Sequence, residues 1–267
     1  MSAAPARTSL WSSILAAVFG VLGVWAAPKE PGALPRLARD LCAPLVLPQL
    51  WSDVDAARRN GSLGEFFERA RTLVRFVPSW TDGPIHFAAL LAFEASLREQ
   101  DPQRALDRLL AGTFWLEQMA EERPRQAADL LTAMASFVTL RTRSDVALHE
   151  AFARRVGTSP LAAADAWLAR AEALVPLAST AQRRAWLALR QIASALRTGD
   201  DARATALAEL GLSRLAPTDS RLSVPEYRQA LERTLAALRG GARLDLLGDE
   251  PLLFEVREAL AARQRGK

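Results

Sequence analysis

Hydrophobic and polar positions divide this chain into three stretches. From Thr8 to Pro28 the sequence TSLWSSILAAVFGVLGVWAAP carries no charge, with Arg7 before it and Lys29 after it. As a helix its 21 residues would span roughly 30 Å, about the hydrocarbon thickness of a bilayer. Residues 29–48 hold Pro31, Pro35, Pro44 and Pro48, close behind Pro28. Prolines at that density predict a stiff linker and not a long helix, with a short turn of helix around Leu37 to Cys42. Over residues 49–267, apolar side chains recur at helical spacing between glycines, prolines and capping residues. No segment alternates polar and apolar residues long enough to predict a strand.

About eleven helices follow from these signals. The first, near Leu50–Asn60, stops at Gly61, and Ser62-Leu63-Gly64-Glu65 is a capping box that opens the second. A third, Pro84 to Glu99, is apolar almost all round and predicts burial between neighbours, Leu97 included. Asp101-Pro102 opens a fourth, with Leu106, Leu109, Leu116 and Met119 inward. Pro124 opens the fifth, Ser144 caps the sixth, Ser159-Pro160 starts the seventh and Thr180 the eighth. Asp200 or Asp201 caps the ninth, Ser223-Val224-Pro225-Glu226 the tenth, and Asp249-Glu250-Pro251 opens the last.

Helices of this length with short connections form either a compact bundle or a stacked array of pairs. Internal similarity favours the array. NGSLGEFFERARTLVRFVP, around Gly61 to Pro78, and TGDDARATALAELGLSRLAP, around Gly199 to Pro217, both run from a turn through an acidic start and an apolar helix to proline. EQDPQRALDRLLAGTF begins the same way. On these residues the chain resembles the tetratricopeptide repeat family, in which glycine ends the first helix of a pair and proline follows the second. Small residues recur at Ala70, Ala105, Ala204 and Ala208, while Phe66 stands where the family has a small residue. The resemblance implies stacked antiparallel helix pairs, a TPR-like α-solenoid over residues 49–267, with a concave face for a protein or peptide partner.

The N-terminal stretch reads as a retained single-pass transmembrane helix or as a cleaved secretory signal. Trp11 and Trp25 near its two ends favour the anchor, whereas Val24-Trp25-Ala26 loosely fits a cleavage site. A long C-terminal domain crosses against so weak a flanking charge bias, which places the body outside the cytoplasm.

Composition narrows the field. Half the residues are hydrophobic, 24% are charged and isoleucine occurs three times, a mixture that favours helix. A pI near 10.1 suggests nucleic acid, but the net charge is only +4. All the bases except Lys29 and Lys267 are arginines interspersed with acids, as on solvated helix faces. Nucleic-acid binding is therefore not expected. Two histidines, His86 and His149, one cysteine, Cys42, and one tyrosine, Tyr227, offer little for catalysis or metal binding. His86 is read as a core or rim residue. Trp51, Trp115, Trp167 and Trp186 are read as core, and Trp80 as packed under a turn or exposed to a partner. No phosphate loop or nucleophile motif occurs.

The expectation is a membrane-anchored, non-enzymatic helical-repeat protein, with no catalytic, cofactor or metal residues, that binds a protein or peptide partner. The alternatives are a catalytically silent subunit of a membrane enzyme complex and a helical receptor for a small molecule or lipid.

Overall fold

The computed structural model describes residues 33–77, 80–215, 224–241 and 243–265, with the side chains of residues 33–41 outside the description. The proposed anchor, residues 8–28, lies outside the described residues. Among those described, no helix is long and apolar enough to cross a membrane, and no strand occurs. Eleven helices account for most of the remainder, counting as one a helix that changes its winding midway. They form two compact units, Met1–Trp80 and Thr81–Lys267, so the division falls inside the stretch read above as one repeat domain.

The described part of the first unit is a helix pair, α1 (Ala33–Asn60) and α2 (Leu63–Phe76), packed side by side. The long α1 corrects the reading of residues 29–48 as a linker that prolines keep from helix, because from Ala33 it runs through Pro35, Pro44 and Pro48. Pro35 sits in the first turn, where an N–H has no helical acceptor. Pro44 and Pro48 are four residues apart and both exposed. They share one solvent-facing stripe, where water can serve the carbonyls that lose their helical donors. Gly61, at φ 74°, turns the chain, and the Ser62 side chain accepts from the Glu65 N–H as its capping box predicts. Trp51 is 39% exposed, not core as expected. Its ring lies 5.6 Å from that of Trp80.

The second unit begins with α3, which runs Gly83–Ala89 as α-helix, Leu90–Ala95 as π-helix and Ser96–Arg98 as α-helix again. The wide turn inserts one residue into the helical phase. Buried positions therefore step from Phe87 to Leu91 and then to Ser96. That shift corrects the expectation for Leu97, which is 63% exposed. Arg141 satisfies the buried Ser96, donating from Nε to its Oγ (3.0 Å) and from a terminal nitrogen to its carbonyl (3.2 Å).

Helix α4 (Pro102–Glu122) is capped by Asp101, and its predicted inward residues Leu106, Leu109, Leu116 and Met119 are all buried. A short 3-10 turn at Pro124–Gln126 leads into α5 (Ala127–Thr142). Helix α6 (Val146–Val156) is capped by Asp145, one residue beyond the Ser144 predicted, with the carboxylate accepting from the Leu148 N–H. Ser159 caps α7 (Pro160–Leu174), and α8 (Ala178–Arg197) begins two residues before Thr180. Asp200 caps α9 (Asp201–Arg214). Val224 precedes α10 (Pro225–Arg239) without a side-chain cap, and Ser223 of the predicted box lies outside the described residues. A 3-10 turn at Pro251–Leu253 opens α11 (Phe254–Arg265).

Helices neighbouring in sequence pack together along much of this unit: α3 on α4, α4 on α5, α7 on α8, α8 on α9 and α9 on α10. Other contacts depart from that order. Helix α5 packs on α7 past the short α6, which leans back on α4, and α11 returns to pack closely on α8. Helix α8 thereby becomes the hub of the C-terminal core, where Leu189, Ile192 and Leu196 meet Leu231, Val256 and Leu260 in one apolar cluster.

Candidate functional site

Helix α5 carries Ala135, Ser136, Thr139 and Leu140 on one face, and α8 carries Ser179, Gln182, Arg183, Trp186 and Leu187 on another. With Leu168 of α7 and Tyr227 of α10, these residues line a half-open cleft of about 540 Å3. Its floor is apolar because Ala135, Leu168 and Leu187 belong to a small buried cluster with Ala164. Leu140 is 56% exposed, so part of the apolar wall faces water.

The polar groups of the cleft are held in place. Arg183 donates to Ser136 Oγ across it (2.7 Å), while that hydroxyl donates to the Thr132 carbonyl one turn back in α5 (2.9 Å). The next residue, Arg184, ties α8 to α7 through Asp165 (3.1 Å) and Glu172, and Arg214 of α9 joins the same Asp165 (2.8 Å). Burial works against a charged Arg184, but its hydrogen bonds to Glu172 and Asp165 outweigh that and raise its pKa. Trp186 is clamped from behind, with the Arg190 guanidinium 5.0 Å from its ring centre. Glu255 of α11 accepts from Arg190 Nε (3.1 Å) and lies 3.7 Å from Arg143. The cleft is thus built on rigid helices fixed by ion pairs behind its lining.

The residues singled out for chemistry do not converge. His86 is exposed, with its ring against the buried Phe87, so it is not a core residue. His149 is half-buried on α6. Among the described residues no group of three or more His, Cys, Asp or Glu is placed to hold a metal ion. Trp115 is core, with its indole N–H donating to the Pro84 carbonyl (2.9 Å). Trp186 and Trp167 are only partly buried. Sequence reasoning took Trp186 for core. It missed the cleft, because Tyr227 joins it only through the packing of α10.

A second hollow of about 550 Å3 near the C-terminus is lined by Asp245, Asp249, Arg257, Glu258 and Arg265 beside Phe254. Several of its charges are already engaged, Arg257 with Asp249 and Arg243 with Asp245.

His149 supplies a pH prediction. Burial first, and then the nearby Arg190 charge, lower its pKa below the ordinary value near 6.5. The unfolded chain therefore binds a proton at higher pH than the folded chain does. Stability should fall as pH drops from about 6.5 towards the lower folded value, and replacing His149 with Gln should flatten that slope. Urea denaturation of both proteins across this window checks it. Equal slopes would refute it.

No protein-family model, no curated protein and no solved structure matches this chain.

Proposed function

We propose that this chain is a non-enzymatic helical interaction protein and that the cleft between α5 and α8 receives a short segment of a partner protein. The observation that carries the proposal is the cleft itself, with an apolar floor, a half-exposed apolar wall at Leu140 and hydrogen-bonding groups on rigid helices. From Ser179 to Leu187 the lining of α8 spans nine residues, about 12 Å of helix from first to last. That matches three or four residues of extended chain, at about 3.3 Å each. Leu174, Val175 and Leu177 leave apolar surface exposed just before Ser179, which suits a longer peptide better than an enclosed small molecule.

The pairs α1/α2 and α8/α9 support a degenerate TPR-like repeat, since in each a positive-φ glycine, Gly61 or Gly199, is followed by a capped helix of 14 residues. The return of α11 onto α8 makes the C-terminal part more bundle-like than a strict array. Residues 8–28 serve in this reading as a single-pass membrane anchor, supported by their length and lack of charge.

In-cell photocrosslinking of the full-length chain tests the function. A photoreactive residue at Gln182 should give one adduct, mapped by mass spectrometry to a single partner segment. The same residue at Arg203, outside the cleft lining, should not. Leu140→Glu, which sets a charge in the apolar wall, should reduce the adduct about tenfold, the equivalent of 1.4 kcal/mol. An adduct indifferent to Leu140→Glu, or equal from both positions, would refute the proposal.

A further inference from the structure

Charge in the cleft is unbalanced. Its eleven lining residues include one cation, Arg183, and no Asp or Glu. Elsewhere on these helices the arginines near the cleft are matched: Arg184 with Asp165 and Glu172, Arg190 with Glu255, Arg170 with Glu117, Arg214 with Asp165. Arg183 has Ser136 Oγ as its hydrogen-bond partner and no carboxylate within ion-pair distance among the described residues. That bond uses one terminal nitrogen. The edge formed by Nε and the other terminal nitrogen is left for an acceptor, and this fork fits the two oxygens of a carboxylate. Beside it Trp186, Leu168 and Leu187 offer apolar surface, with Gln182, Ser179 and Tyr227 available for backbone hydrogen bonds.

We propose that the segment bound in this cleft is acidic as well as apolar: an Asp or Glu side chain pairs with Arg183 while an adjoining leucine or aromatic residue packs on Trp186 and Leu140. The inference rests on the peptide reading given above and adds the chemistry of the partner. A single guanidinium balances one carboxylate, whereas a doubly charged phosphate would leave a charge uncompensated over an apolar floor. Arg183 is exposed in the free protein, so pairing it strands no buried charge. Because the occupant would cover the cleft and reduce screening by water, the pair should count for more than an open surface ion pair.

The test is selection of random eight-residue peptides displayed on phage against the detergent-purified full-length chain, in parallel with Arg183→Glu. The wild type should select a motif with Asp or Glu within two residues of a leucine or aromatic residue. The Arg183→Glu protein should replace that acid with Lys or Arg. In fluorescence polarisation, a wild-type-selected peptide should lose about tenfold in affinity for Arg183→Gln, within the range of a charge-assisted bond. Its Asp-to-Asn analogue should respond less than about threefold. A wild-type motif without an acid, or one unchanged by Arg183→Glu, would overturn the acidic assignment while leaving the cleft as a peptide site. Failure to select any motif that Leu140→Glu weakens would overturn both.

Discussion

Replacing Trp115 with alanine should destabilise the second unit by about 3–5 kcal/mol, the usual loss for a large aromatic residue removed from a packed core. Trp115 is 1% exposed. Its ring meets Phe87 edge-on, with centres 6.5 Å apart, and its N–H satisfies the carbonyl of Pro84, 31 positions earlier (2.9 Å). That bond fastens the start of α3 to the middle of α4, so alanine leaves a cavity and removes a buried cross-helix hydrogen bond. Trp115→Phe separates the two contributions. It keeps a ring against Phe87 but loses the donor and part of the volume, so it should fall clearly between wild type and alanine. Urea titration gives the overall loss, and hydrogen exchange of the α3 and α4 amides gives its location. A loss below about 1 kcal/mol, within the ordinary range for a surface substitution, would contradict this account of the core.

The helix caps were the most legible part of this fold. Ser62, Asp101, Ser159 and Asp200 each accept a backbone N–H at the start of a helix. They are readable because an N-cap depends on residues only two or three positions away. Three of the readings that failed turned on features that local sequence signals do not decide. Pro44 and Pro48 suggested a break, but their shared solvent face lets α1 continue. Leu97 was expected to be buried because its helix is apolar almost all round, but past the π turn at Leu90–Ala95 it is Ser96 that is buried, with Arg141 of α5 to satisfy it. Ser144 and Asp145 both suit a cap, and nothing in the sequence ranks one above the other. The cleft was legible only in part. Of its lining on α8, the sequence had singled out only Trp186, and as core. That this lining faces Ser136 and Thr139, and that Tyr227 closes the cleft, follows from how four helices pack.

The packing of α3 on α4 yields a second sharp prediction, in which two effects oppose each other. Gly112 and Gly211 both lie inside helices, α4 and α9, and both are buried. On helix propensity alone, alanine at either position should stabilise by about 1 kcal/mol. The surroundings differ. A β-carbon on Gly112 would lie 2.9 Å from the Ala88 carbonyl oxygen and 3.2 Å from the Ala92 β-carbon. Neither can swing aside, because one is backbone and the other is fixed to it. On Gly211 the nearest atoms are the Leu231 methyls, at 3.0 and 3.3 Å, which can move by a small change of rotamer. Overpacking costs typically about 1–3 kcal/mol, enough to outweigh propensity where the obstacle is backbone. Gly112→Ala should therefore destabilise by about 1–2 kcal/mol, and Gly112→Val by more, since a β-branched side chain also loses propensity in helix. Gly211→Ala should change stability by less than about 0.5 kcal/mol, because the two effects nearly cancel there. Urea midpoints for the three variants check this order. If Gly112→Ala proved as stable as Gly211→Ala, α3 and α4 could not cross as closely as the 2.9 Å approach requires. Phe87, Ala88, Leu91 and Ala92, which make the buried face of α3, would then need a looser packing partner than α4.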